Sequence, residues 1–388
     1  MEKTLVERII EKYEKSASDW KEGACQNRGL RIQQQDKNEI GSIELIKQAM
    51  DLEQENLVKI KWYSYLSEIE EVRYSLKDMP QFYSKAGKIP KTQRIKECRE
   101  YLENEKQGIR TKWICTYYDS LLEKLERGRI PRETEGDKLL FACLRGLDQL
   151  DEPVYKRAFS KHYLGNSKLF EKRIQSEILT IAKAYNPEID DNMDKTTILS
   201  QLYLEEYSQE LAMKGNLILE LNGRELDLSL FTYGLVLNSQ MLKYASIHSG
   251  QKISKVITIE NKANFMSMTF EEGTLILFSH GYFTPRERDF LKRLYQVLEG
   301  KNVEYYHTGD LDYGGVKIFQ YIKKDIFPPL KPLWMDIETF EKYKSEGEPI
   351  EKSKLDKLRK VKEPLLQELI DKICEEELVI EQESLLIK

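Results

Sequence analysis

Apolar positions in the first 130 residues recur mostly at threes and fours, the spacing of one helix face. Leu5, Ile9 and Ile10 mark an opening stripe. After a polar loop from Gly23 to Gly29, a second stripe runs through Ile46, Met50, Leu57, Ile60, Tyr63, Leu66 and Ile69. It predicts one long helix over 43–76. Pro80 and Pro90 punctuate, and two more helices are predicted at 92–107 and 109–127. Long, charged helices with narrow stripes suit an extended arm or a partner-binding layer; a plain bundle has the same pattern. Gly128-Arg129-Ile130-Pro131 closes this region, so 1–130 is read as a helical N-terminal arm.

The pattern then shortens. Helices are predicted at 135–150, 154–163 and 168–185, with the turn Leu164-Gly165-Asn166-Ser167 before the last. Three short helices with a glycine turn outline a winged-helix or helix-turn-helix domain, assigned to 131–214. Residues 156–173, KRAFSKHYLGNSKLFEKR, hold six basic residues and one acid. Lys161, Lys168, Lys172 and Arg173 are candidate phosphate contacts, with Ser167 as a helix cap. The same residues also fit a solvated basic face. Residues 215–250 read as a hairpin and connector: strands at 217–221 and 226–231 flank Asn222-Gly223, and a helix is predicted at 239–247.

From 251 the pattern changes to apolar, β-branched strands. Val256-Ile257-Thr258-Ile259 suits a parallel strand buried on both faces and ends on Glu260. A strand at 274–278 ends on Ser279-His280-Gly281. Thr284-Pro285-Arg286-Glu287 then opens a helix with a cap, a proline and an acid in the right places. A third strand runs into His307-Thr308-Gly309-Asp310-Leu311-Asp312-Tyr313-Gly314-Gly315, and a helix follows to Ile326. Strand, strand, helix, strand, helix predicts a Rossmann-like parallel sheet. Glu260, the turn at Gly281, and Asp310 with Asp312 then share one sheet edge, where such sheets build their sites. Asp-x-Asp on a short turn offers oxygen ligands to a hard cation such as Mg²⁺. A short strand at 333–337 and a charged helix over 352–376 complete the chain, with Glu381-Gln382-Glu383 beyond.

Composition narrows the classes. The 388 residues are 40% hydrophobic, enough for two or three cores. With 61 basic against 66 acidic residues the net charge is -5, which excludes a wholesale polybasic nucleic-acid binder but not local basic patches. Cys25, Cys98, Cys115, Cys143 and Cys374 are scattered, without a Cys-x-x-Cys pair, and read as free thiols in a reducing compartment. The opening MEKTLVERIIEKYEKS is charged and lacks an apolar signal core, and no run is long enough to span a bilayer. A cytoplasmic protein with no membrane contact is expected.

Strand-Glu260, a glycine turn, and Gly309-Asp310-Leu311-Asp312 in one sheet resemble a Toprim domain, the metal-binding module of topoisomerases, primases and some nucleases. In more detail, VITIENKANF, FSHGYF, HTGDLDYGGVKIF, VIEQE and GNSKLFE resemble motifs of the Wadjet JetD family, nuclease subunits of a bacterial anti-plasmid system built on an SMC-like complex. The resemblance covers the C-terminal half in detail; in the arm only the helical character matches. It implies a multidomain α and α/β protein: helical arm, central winged-helix domain like that of the topoisomerase VI A subunit, and C-terminal Toprim domain over 251–388. It implies a homodimer that acts as a Mg²⁺-dependent endonuclease on double-stranded plasmid DNA presented by SMC-like partners, with Mn²⁺ as a substitute ion.

By the same resemblance, Asp310 and Asp312 are the metal-binding acids, and Glu260 is a metal ligand or the acid/base. Gly309, Gly314 and Gly315 form the tight turn. His280 and His307 are possible phosphate contacts, as are Asn261 and Lys262 for DNA. Two departures stand out. The third acid of many Toprim domains is replaced by Val316, and Asn166 stands where an aspartate is expected. Tyr117 and Tyr118 are the tempting pair of nucleophiles for a topoisomerase-like transesterase, but they sit on an amphipathic helix with no arginine just before them, and packing is the better reading. A non-catalytic DNA-binding adaptor and a DxD sugar-nucleotide transferase are the other classes; the second leaves the basic 156–173 segment unexplained.

Overall fold

The computed structural model describes residues 3–16, 18–21, 24–65 and 67–386; Gly23 and Leu66 therefore lie outside the described residues. The chain divides into two compact units, Met1–Asp148 and Gln149–Lys388.

The first unit is mixed, not all-helical. Helix Ser42–Gln54 stops where Asn56 takes a positive φ of 58°, and strands Val58–Ser64 and Glu68–Ser75 follow. The long helix expected over 43–76 is therefore wrong beyond residue 54. The cause is a two-residue alternation hidden within the apolar stripe: in Val58–Ser64, Val58 is buried while Lys59 and Lys61 are exposed. The polar loop expected around residues 23–29 ends in a strand, Asn27–Arg31, paired antiparallel to Glu68–Ser75. Glu68–Ser75 is thus the middle of a three-stranded sheet. Its apolar side, with Val72 at the centre, packs with Leu5, Ile9, Ala49 and Phe82. Helices Lys91–Lys106 and Lys112–Glu126 form where the sequence places them. Helix Leu139–Asp148 also belongs to this unit, with Phe141 stacked on Tyr118.

In the second unit, strand Val154–Tyr155 leads into helix Lys156–Leu164, Gly165 ends that helix in the left-handed region, and the next helix starts with one π-helical turn, Phe170–Ile174. The Asn222-Gly223 turn appears as expected: both residues have positive φ, 54° and 72°, and strands Ile218–Leu221 and Arg224–Asp227 pair across it. The second strand ends at Asp227, whose carboxylate caps a short 3-10 turn.

The central sheet has six strands, ordered Lys331–Pro332, Glu304–Thr308, Lys255–Ile259, Thr274–Phe278, Glu210–Gly215 and Leu235–Asn238. The first four run parallel, and the last two join antiparallel. Both antiparallel strands come from before residue 251, so the sheet draws on chain assigned from sequence to the winged-helix and connector regions. Val256, Leu275, Leu277 and Tyr305 are buried, Tyr305 against Tyr295 of helix Pro285–Leu298. Ile257, Ile259 and Ile276 pack with Phe265 in a separate cluster.

Two C-terminal expectations are corrected. The strand expected at 333–337 is a two-residue strand, Lys331–Pro332, and a helix already begins at Ile337. The helix over 352–376 is two helices, Lys352–Leu358 and Gln367–Glu376, because Pro364 cannot continue the ladder. The capping box at Thr284 and Glu287 is present, with the Thr284 N–H and hydroxyl both donating to Glu287 Oε2 at 2.8 Å. Thr284→Ala should lower unfolding stability by about 1 kcal/mol with the fold retained, read by urea denaturation.

Candidate metal centre

The register of the parallel strands sets the site. Ile259 stands opposite Phe278 on one side and Thr308 on the other, so Glu260, the Ser279-His280-Gly281 turn and Gly309-Asp310 leave the sheet at one edge. The Glu260 N–H still donates to the Thr308 carbonyl at 3.0 Å, which carries the ladder one residue past the strand. Its side chain turns back, and Oε2 accepts the Asp310 N–H at 3.3 Å.

Glycine makes this approach possible. A Cβ on Gly309 would lie 2.4 Å from Glu260 Oε2, and one on Gly315 would lie 2.1 Å from the Asp310 carbonyl oxygen. Asp312 then caps helix Tyr313–Asp325, its Oδ1 accepting the Gly315 N–H at 2.8 Å. Gly281 takes a φ of 93° in the neighbouring turn.

The sequence reading missed the fourth participant, the segment Ile380–Glu383. Leu311 and Ile380 exchange backbone hydrogen bonds of 2.8 and 3.3 Å. Gln382 donates its N–H to Asp310 Oδ1 at 2.7 Å and its side-chain amide to Thr308 Oγ1 at 2.9 Å, and its Oε1 accepts the Asn261 N–H at 2.9 Å. This alternation of paired Gln382 with outward Glu381 and Glu383 delivers two further acids. Oxygens of Asp310, Glu381 and Glu383 lie within 4.8 Å of one another. Val316, four residues after Asp312, is fully buried and contributes nothing to the site. The only sequence signal for these residues was the VIEQE motif, which marks them without saying what they touch.

Electrostatics set these acids apart from ordinary surface carboxylates. Among the described residues, Glu260, Asp310, Asp312, Glu381 and Glu383 have no lysine or arginine within ion-pair distance; each of the lysine and arginine ion pairs found uses other acids. Burial, reinforced by Asp310 and Asp312, pushes Glu260 up to about 8. Burial and Glu381 push Asp310 up to about 7, against the Gln382 N–H, which pulls the other way. Glu381 is also raised, by burial and then by Asp312 and Glu383. Three neighbouring carboxylates, Glu260, Asp310 and Glu381, that resist ionising without a counter-charge fit a divalent cation, and the all-oxygen donor set fits Mg²⁺ or Mn²⁺.

The remaining candidates separate. His307 is fully buried: Nδ1 sits 2.8 Å from Thr258 Oγ1, and burial pushes its imidazole down to about 3. It is a neutral group whose unpartnered Nε2 lies 3.2 Å from where a Gly309 Cβ would stand, on the Glu260 side of the turn. His280 sits at φ 43° and pairs with Glu287 at 3.1 Å. Burial disfavours its charge, but Glu287 outweighs burial and lifts it above its ordinary value. The Asn261 side chain caps helix Lys262–Ser267, while Lys262 is exposed. Lys168, Lys172 and Arg173 are exposed; Lys161 is exposed too and reaches the Gly165 carbonyl at 3.1 Å. Ser167 does not cap: the turn is held by Asn166 Oδ1, which accepts the Lys168 N–H at 2.9 Å, and by Ser160 Oγ, which accepts the Phe170 N–H at 3.0 Å.

The sign of the pH dependence follows. Glu260 and Asp310 keep protons in the fold that the unfolded chain releases near 4.5 and 3.8. Stability without metal should therefore fall as pH rises from about 5 to about 8. Added Mg²⁺ should raise the melting temperature more at pH 8 than at pH 6, since the ion binds the deprotonated acids. Thermal melts across pH, with and without Mg²⁺, check both; an ion effect independent of pH would contradict the assignment.

The family model of the C-terminal region of Wadjet protein JetD matches residues 214–388, which include all five acids. The chain is also 30% identical to Wadjet protein JetD of Bacillus cereus (strain Q1) over 345 residues, covering 86% of this chain and 83% of that relative. The motif resemblance, the match through the acid-bearing sheet and the similarity along most of both chains agree: this chain belongs to the Wadjet protein JetD family.

Proposed function

We propose that this chain is a metal-dependent DNA endonuclease, the plasmid-cleaving effector of a Wadjet SMC-like defence system. Membership of the JetD family supports the role in Wadjet defence. The observation that carries the chemistry is the set of five acids without a basic partner at one edge of a parallel sheet. In this reading the sheet and its acids form a Toprim-type domain, the basic 156–173 segment belongs to a winged-helix domain that holds double-stranded DNA, and the protein works as a homodimer with SMC-like subunits.

Asp310, Glu381 and Glu383 would hold Mg²⁺ or Mn²⁺, with Asp312 and Glu260 alongside. The bound ion supplies phosphoryl polarisation and an activated water at neutral pH. Asp310 and Asp312 are fixed by the Gln382 and Gly315 N–H groups, so each keeps a second oxygen free for that task. Water would attack phosphorus as the bond to the leaving oxygen breaks, and Glu260, beside the ion, would take up the proton the water loses and pass one to the leaving oxygen. A topoisomerase-like tyrosine route finds no support: Tyr117 and Tyr118 are buried, and burial raises the Tyr118 phenol further.

Asp310→Ala, Asp312→Ala and Glu260→Ala should each abolish Mg²⁺- or Mn²⁺-dependent cleavage of supercoiled plasmid, assayed with the SMC-like partners present. Undiminished cutting by the Asp310→Ala protein would sink the site assignment. Neutralising Lys168 and Lys172 together should weaken duplex binding and lower the slope of log affinity against log salt by about 2. Unchanged affinity at low salt would return this segment to a solvated face.

A further inference from the structure

The metal centre repels a polyanion, so a DNA strand that reaches it needs positive charge at its rim. Lys317, on the helix that Asp312 caps, and Lys357, over the Tyr313 ring, are both occupied, while Lys354 acts on Glu381. Lys317, on helix Tyr313–Asp325, pairs with Asp190 at 3.0 Å. Lys357, on helix Lys352–Leu358, pairs with Asp191. Asp191 also accepts the Tyr313 hydroxyl at 3.0 Å. The next residue, Asn192, lies against the catalytic turn. Its amide nitrogen is 2.7 Å, and Asp312 Oδ1 3.2 Å, from where a Gly314 Cβ would stand. The absence of that Cβ lets the Asp190–Asn192 loop lie beside Asp312.

We infer that Lys317 and Lys357 are phosphate-contacting residues of the metal centre, and that Asp190 and Asp191 hold their place until DNA arrives. A carboxylate and a phosphodiester each present two oxygens and one negative charge, so one can stand in for the other at a lysine. The Lys357–Asp191 pair is half-exposed on both sides, 47% and 48%, and such a pair is weakly held. Lys317 and Asp190 line a cleft of about 660 Å³ that also includes Tyr282, Lys324 and the acids Glu188, Asp325 and Glu363. The inference rests on the nuclease reading and adds which groups take the substrate and what the loop does in its absence.

Asp190→Asn with Asp191→Asn tests it. Asparagine keeps an acceptor for the Tyr313 hydroxyl and for the Asn192 N–H, which Asp190 Oδ1 holds at 3.0 Å, so the loop retains its hydrogen bonds. Binding of a short fluorescent duplex to the full chain is read by anisotropy without divalent ions, at several salt concentrations. The double variant should bind roughly three- to ten-fold tighter at low salt, with the gain shrinking as salt rises. Adding Lys317→Ala and Lys357→Ala should erase the gain. Lys357→Ala alone, at a half-exposed position, should weaken binding and melt like the parent. Unchanged affinity in the double variant, or a gain that survives loss of both lysines, overturns the inference. If the variant is unchanged but plasmid is still cut, only this inference falls. If no form binds DNA, the nuclease reading falls with it.

Discussion

Gln382 is the tie on which the acid edge depends. It is fully buried, and a buried amide must satisfy its polar groups or cost stability. It does so through Thr308 at the end of one strand, Asn261 just past the next, and Asp310 on the turn, while its carbonyl accepts the Asn264 amide at 2.8 Å. One residue thus holds two parallel strand ends, a helix start and the Asp310 carboxylate in a single arrangement. Leu311 and Ile380 extend the tie as a short backbone bridge. Glu381 and Glu383 point out of this stitched segment because their neighbour points in.

What the sequence shows and what it hides divide along the range of the interactions involved. The Thr284–Glu287 capping box, the Asn222-Gly223 turn and the apolar run at Val256–Ile259 are set by residues a few positions apart, and each stands where its pattern says. Glu260 and the Asp310–Asp312 turn, fifty residues apart, were brought to one edge by a different rule, since parallel strands in register place their ends together. The 58–75 hairpin was hidden because Leu57, Ile60 and Ile69 also satisfy helical spacing, and only the packing of Val72 decides between the two periods. Glu381 and Glu383 reach the site through pairing across about seventy residues, which leaves no local periodicity to read. His307 had two readings beside the acidic turn, a phosphate contact or a histidine bonded to its neighbours; its ring is buried and Nδ1 meets Thr258 Oγ1.

The site is built against its own stability. Holding Glu260 and Asp310 so close that both resist ionising costs on the order of a few kcal/mol at neutral pH, a sizeable share of what a domain has to spare. The surrounding geometry carries that cost through main-chain contacts: N–H groups of Asp310, Gly315 and Gln382 each meet an acid, and among the described residues no lysine or arginine lies within ion-pair distance of the group. Exposed Glu381 and Glu383 leave the charge balance of the cluster open toward solvent.

The bridge between Leu311 and Ile380 also orders events in time. Asp310 emerges from the ribosome 72 residues before Gln382 does. A nascent chain can therefore form the parallel strands and the Asp-x-Asp turn while the carboxylates that complete the cluster have not been made. The centre closes only when the late segment docks, so a growing chain passes through a stage with its sheet formed and its acid cluster unfinished.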